Sequence, residues 1–154
     1  MIREATPADA AAVADVLRRS IVELCHADHR GRPDVLERWL ANKTPEAVSA
    51  WINDADGYCA SAVADSGEVC GFGMLAAAGE ILLLYVSPEH VGRGVGRDLL
   101  RALEERAVGR GLGEIRLDSS LTAKGFYARH GYVDAESCGD RTDGLFCHAM
   151  RKTL

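Results

Sequence analysis

The stretch VGRGVGRDLL, Val91 to Leu100, places Gly92, Gly94 and Gly96 at alternate positions around Arg93 and before Arg97, then runs directly into a helical pattern. Glycine has no Cβ, so the backbone there can turn sharply and a ligand can come close to the main chain. From Val95 onward, Leu99, Ala102, Leu103 and Ala107 recur at helical spacing. The unpaired N–H groups of such a helix start, together with the positive end of its dipole, suit an anion such as a phosphate. Arg93 and Arg97 add positive charge. A turn that merely joins a strand to a helix can carry the same glycines, so the neighbouring elements have to decide.

Upstream, ILLLYV is a short apolar run of the kind that forms a buried strand. Before it, GYCASAVA and VCGFGMLAA flank the turn residues DSGE as a hairpin. Downstream, EIRLDSS reads as a strand, TAKGFYARHG as a short helix closed by Gly131, YVDAES as a strand, GDRTDG as a turn and LFCHAMRK as the last strand. At the start, MIREA alternates like a strand. Thr6, Pro7 and Asp9 then supply the cap, the first-turn proline and the first-turn acid of a helix. CHADHRGRP reads as a connection, followed by two helices in DVLERWLANK and TPEAVSAWIND. The order predicts a mixed α/β fold, with a central sheet of roughly seven strands flanked by helices. Residues 1–154 are read as one domain, a length at which roughly 70% of the unfolded surface is hidden on folding.

A formal net charge of −5 argues against nucleic acid or an anionic membrane as partner. No window approaches the ~20 apolar residues of a membrane span, and the first residues lack a signal-peptide core, so a cytoplasmic protein is expected. Cys25, Cys59, Cys70, Cys138 and Cys147 form no C-x-x-C pair and suggest neither a disulfide framework nor a zinc ribbon. CHADH gathers Cys25, His26, Asp28 and His29 without a second half elsewhere, so no metal is expected. A phosphate-binding P-loop would need Lys-Ser/Thr where Arg97 and Asp98 stand. A dinucleotide loop would need glycine at Arg97.

With those loops set aside, ILLLYVSPEHVGRGVGRDLL followed by SSLTAKGFYARHGY resembles the Gcn5-related N-acetyltransferases. The family's Gln/Arg-x-x-Gly-x-Gly/Ala pattern falls on Val91, Gly94 and Gly96, with Val91 departing from it. Its later Asn-x-x-Ala-x-x-Phe/Leu-Tyr-x-x-x-Gly-Phe/Tyr pattern falls on Ser120, Ala123, Phe126, Tyr127, Gly131 and Tyr132, with Ser120 the departure. The resemblance implies acetyl-CoA as co-substrate, its pyrophosphate held by the backbone from Val91 and Gly92 through Arg93, Gly94, Val95, Gly96 and Arg97. It implies a sheet splayed in the middle, where the pantetheine arm meets the main chain of Leu84, Tyr85 and Val86, and it adds Ser120, Ala123 and Phe126 to the cofactor-binding positions. It also implies Tyr127 as the proton donor to the departing sulfur. Glu80 sits where several members carry a general-base glutamate. The region holding His26, Asp28 and His29 borders the acceptor mouth in that family, so these three are expected to contact acceptor.

The expected function is therefore acetyl-CoA-dependent N-acetyl transfer to the primary amine of a small molecule, directly in a ternary complex, since no cysteine lies in either motif. A non-catalytic acyl-CoA-binding module, a protein or peptide N-acetyltransferase and a dinucleotide-dependent oxidoreductase are the competing classes. The presence of both Glu80 and Tyr127 favours catalysis. The acceptor, the acyl chain and the oligomeric state, a homodimer included, stay open at this level.

Overall fold

The computed structural model describes residues 1–135 and 148–154. Cys138, Cys147, the expected GDRTDG turn and the ends of the strands expected on either side of it lie outside the described residues.

The chain opens with β1 (Ile2–Glu4) and a 3-10 turn at Pro7–Asp9 that leads into α1 (Ala10–Leu24). The N–H of Thr6 donates to Asp9 Oδ2 at 2.9 Å, and the Arg3 guanidinium grips the same carboxylate through bonds of 2.7 and 2.8 Å. The ion pair with Arg3 is the largest cause holding the Asp9 carboxyl down at about 2, against the opposing effect of burial. The first strand is thereby tied to the first helix. The stretch expected as a plain connection contains a short helix, α2 (His26–His29), ended by Arg30 in the left-handed region at φ 51°. Two proline-initiated helices follow, α3 (Pro33–Leu40) and α4 (Pro45–Asn53), the second capped by Thr44 Oγ1 accepting from the N–H of Ala47 at 3.1 Å.

The hairpin of β2 (Tyr58–Val63) and β3 (Val69–Leu75) comes next, then β4 (Glu80–Val86) and α5 (Val95–Gly109). The chain continues through β5 (Glu114–Ser119), α6 (Leu121–Arg129), β6 (Val133–Asp134) and β7 (His148–Thr153). All seven strands form one sheet in the order β1-β2-β3-β4-β5-β7-β6. Every neighbouring pair is antiparallel except β4 with β5.

Helices α1 and α4 bury Val13, Leu17 and Val48 with Phe72 on one face, and α5 buries Leu99, Leu100 and Leu103 with Ile115 and Leu117 on the other. Each fully buried aliphatic side chain of this kind contributes roughly 1.5–3 kcal/mol. Gly71 sets how close α5 comes. A Cβ there would stand 2.9 Å from Leu99 Cδ1 and 3.1 Å from Val95 Cγ1, so α5 and the loop before it can sit this low only over a bare backbone.

A single irregularity in β4 positions the site. Met74 pairs with Leu83 and Leu75 with Ile81, which leaves Leu82 as an extra residue with no partner on β3. Such a bulge bends its strand and sharpens the local twist. The parallel pairing of β4 with β5 covers Glu80↔Arg116 and Ile81↔Leu117, then stops at the bulge. From there the two strands diverge, and the β5-facing main chain of β4 continues to Val86 without a strand partner.

Candidate active site

The divergence opens a cavity of about 640 Å³. Its walls include Glu80, Ile81, Leu82, Leu83, Leu84, Tyr85 and Val86 from β4, Leu117, Asp118 and Ser119 from β5, and Ala123 and Tyr127 from α6. Leu84 and Val86 also pack toward α5, whereas Leu83 and Tyr85 pack toward α1. The cavity therefore runs through the gap and touches both faces of the sheet. The end of α3 and the turn into α4 add Arg38, Trp39, Ala41, Asn42 and Lys43 to its wall.

At one mouth lies the glycine loop. Gly92 and Gly94 both take left-handed backbone, φ 79° and 83°, and Gly94 is the N-cap of α5. A branched side chain in that region is strained whatever room surrounds it. Nothing lies within 4 Å of a Cβ built on Gly92, so that position faces open space. The helix beyond has fifteen residues, long enough for a developed N-terminal dipole. Val91 is exposed and lies on the cavity wall. Val95 faces inward onto Gly71, Gly96 packs against the Phe126 ring, and Arg93 and Arg97 are exposed, Arg97 pairing with Asp98 at 3.1 Å.

Tyr127 occupies the other side of the gap. Its ring stacks edge-on between Phe126 and Tyr132 at centroid distances of 5.2 and 5.5 Å. Burial pushes its phenol well above the ordinary tyrosine range, so the group stays protonated at neutral pH. The hydroxyl makes no hydrogen bond among the described residues. The ring is buried, but the hydroxyl is not a buried orphan; open to the cavity, it is free to donate to a ligand there.

The helix that carries Tyr127 is held unusually well at its start. Ser120 Oγ accepts from the N–H of Ala123 at 3.1 Å, and Asp28 takes the N–H groups of Leu121 and Thr122 at 2.7 and 3.1 Å. Three N-terminal donors that a helix normally leaves open are thereby satisfied. Ser120, in the family's asparagine slot, acts as a helix cap and also lines the cavity.

The structure places the His26, Asp28 and His29 cluster off the cavity wall. Asp28 is occupied as a cap. His29 is buried: its Nδ1 accepts from the N–H of Gly31 at 2.9 Å, which leaves Nε2–H to donate to the Ile21 carbonyl at 3.0 Å. Both ring nitrogens serve the turn after α2. The ring of His26 lies 4.6 Å from that of His29, and His26 itself is exposed.

Several wall residues are not among those expected at the site. Cys25 lies there, with a thiol that burial pushes up to about 12, so almost none of it is thiolate at neutral pH. Trp39 donates its indole N–H to the Tyr85 hydroxyl at 3.3 Å, closing the wall on the α1 side. Lys43 is buried on the same wall, and its ammonium, lowered to about 8 by desolvation, donates to Asn42 Oδ1 at 2.6 Å. Among the described residues there is no group of His, Cys, Asp and Glu that could hold a metal ion, and no helix is long and apolar enough to cross a membrane.

A family model for the acetyltransferase (GNAT) domain matches residues 25–154. Two solved structures align over the whole of this chain. A GCN5-related N-acetyltransferase from Rhodopseudomonas palustris is 30% identical, is itself 95% covered and has a TM-score of 0.87. The PaiA N-acetyltransferase from Thermoplasma acidophilum, solved in complex with coenzyme A, is 25% identical, is 98% covered and has a TM-score of 0.81. No curated protein sequence matches. With the split sheet, the left-handed glycine loop and the cavity between them, these matches establish that the chain belongs to the GNAT acetyltransferase family. It is an acetyl-CoA-dependent acetyltransferase.

The residues present fit that donor. The unpaired edge of β4 offers main-chain hydrogen-bonding groups along the cavity, and the open backbone at Gly92 leads onto the start of a long helix. An extended amide arm and a pyrophosphate need those two features, in that order along the chain.

Proposed function

We propose that the protein acetylates the primary amine of a small molecule, with Tyr127 and Glu80 handling the protons in one ternary complex. The observation that carries this reading is Tyr127 on the wall of the gap between β4 and β5, its ring buried and its hydroxyl open to the cavity with no hydrogen bond among the described residues. A concave cavity of about 640 Å³, walled in part by the end of α3 and the turn into α4, suits a small ligand better than a folded protein surface. The 25%-identical relative solved with coenzyme A supports the donor assignment.

Acetyl-CoA, when bound, supplies the acyl thioester, whose C–S bond is exchanged for the C–N bond of the amide. An ammonium loses two protons in becoming an amide nitrogen. In this reading Glu80, on the wall at the start of β4, takes one of them directly or through water and passes it to solvent. Tyr127 gives its proton to the departing sulfur, and the second proton lost by the nitrogen restores the Tyr127 phenol, directly or through water. Leu84, Tyr85 and Val86 would hold the pantetheine arm through their main chain. Val91 to Arg97 would hold the pyrophosphate, and Ser120, Ala123 and Phe126 would shape the wall opposite. The Cys25 thiol is too basic to serve as a ready covalent acyl carrier, which supports direct transfer.

The test is thiol release from acetyl-CoA against a panel of amines. Saturable release that depends on an added small amine supports the proposal. Coenzyme binding with no release for any amine would leave a binding module, and release only with peptides would give a protein acetyltransferase.

A further inference from the structure

We propose that Lys43 forms a carboxylate-binding subsite on the cavity wall, so that the acceptor is an amino acid or a close relative that carries an acid group beside its amine. This rests on the acetyl-transfer reading above. Lys43 is only 6% exposed, yet it is a cavity-wall residue. Its ammonium has three donors, and the hydrogen bond it makes is to the neutral amide oxygen of Asn42. Among the described residues no carboxylate pairs with it. Burying a cation without an anion is costly, and a ligand carboxylate arriving in the cavity would remove that cost.

The lysine is also built in. Arg18, on α1, donates to the carbonyls of Leu40 and Lys43 at 3.1 and 3.3 Å, and the N–H of Lys43 turns back to the Leu40 carbonyl at 3.0 Å. Thr44, the next residue, caps α4. The backbone around Lys43 is thus held from three sides, unlike that of a surface lysine on a free loop. Charge is divided across the cavity in the same sense. β4 contributes the acid Glu80 to the wall, and the turn after α3 contributes the base Lys43. A zwitterion matches that division, ammonium toward the strands and carboxylate toward the lysine. A simple diamine does not.

The experiment compares each of the twenty common amino acids with its primary amide as acceptor, using wild type, Lys43→Met and Lys43→Arg. The amide keeps the amine and side chain and removes only the negative charge. At least one amino acid should show a kcat/KM roughly tenfold to a hundredfold above its amide. Lys43→Met should collapse that ratio to near one, chiefly through KM, and Lys43→Arg should restore part of it. Amides used as well as or better than the acids by wild type, or an equal loss on both in Lys43→Met, would overturn the proposal. Acetylation of Lys43 itself by acetyl-CoA alone, seen by mass spectrometry, would also overturn it, because the lysine would then be an acceptor.

If no amine supports thiol release, the acetyl-transfer reading fails and a binding measurement decides this one separately. Calorimetry with N-acetyl amino acids and their amides on the coenzyme A-loaded protein should then show the acids binding to wild type and not to Lys43→Met. No binding of any acid would refute the subsite.

Discussion

The Asp28 carboxylate lies 2.6 Å from the Thr122 hydroxyl, 94 residues away in the chain, and with the N–H groups of Leu121 and Thr122 it closes the start of the helix that carries Tyr127. A short helix after α1 thus helps set the position of a residue on the cavity wall. Asp28→Ala should therefore lower stability by roughly 1–2 kcal/mol, as loss of a helix cap does, and lower kcat through a misplaced Tyr127. Urea melts and steady-state kinetics check this. A raised acceptor KM with unchanged stability and kcat would instead put Asp28 in contact with acceptor.

Tyr127→Phe removes a hydroxyl that makes no hydrogen bond among the described residues, so stability should be kept or slightly raised. Its kcat should fall by something like ~10²–10⁴ with coenzyme affinity little changed. Burial keeps the phenol protonated well above its ordinary range, so wild-type activity should show no loss of a tyrosine proton up to about pH 10. A variant as active as wild type would remove Tyr127 from the proton path.

Glu80→Gln should show a defect that depends on pH. An amine already neutral in solution needs no base, so the gap between variant and wild type should narrow as pH rises toward the amine's pKa of ~10. A gap of constant size across the pH–rate profile would mean that Glu80 only orients substrate.

Gly94 sits at φ 83°, and a Cβ built there meets the Arg97 guanidinium at 2.9 Å. Gly94→Val cannot keep that backbone without strain on the order of 1–2 kcal/mol, so the loop should rearrange and coenzyme A affinity should fall at least tenfold by calorimetry. Wild-type affinity in a folded Gly94→Val protein would place the pyrophosphate elsewhere.

Lys43 makes a stability prediction with a defined sign. Desolvation lowers its ammonium from 10.5 to about 8, so the folded chain holds this proton less tightly than the unfolded chain. The penalty is complete below the folded value and fades as pH rises toward the unfolded one. Lys43→Met should accordingly stabilise the protein at pH 7 by up to ~3 kcal/mol, and the gain should shrink between about pH 8 and 10.5. Melts that show a gain independent of pH would assign it to packing alone. A stabilising change that also damages acceptor use is the expected signature of a residue kept for function.

Local chemistry was sufficient for much of this protein. Proline and threonine at helix starts, the DSGE turn, the apolar run into VGRGVGRDLL and the helix closed by Gly131 each announce an element within a few residues, and all are found where expected. The left-handed glycine turn and the helix that carries Tyr127 were legible for the same reason: backbone freedom and a motif of fixed spacing are properties of neighbouring residues. The order of strands in the sheet was not legible, and neither was the bulge at Leu82, which depends on how β4 registers against β3 and leaves no mark in the apolar run. The surroundings of CHADHRG and of Lys43 were not legible. Asp28 and His29 look like ligands in CHADHRG, yet one caps a helix 94 residues on and the other is consumed by its own turn. Lys43, an ordinary lysine in ANKTP, reaches the cavity wall on a turn whose carbonyls accept from Arg18, 22 and 25 residues away in the chain. Hydrogen-bonding capacity is written in the sequence, but which partner takes it is decided by elements far apart in the chain, and only the folded packing brings those together.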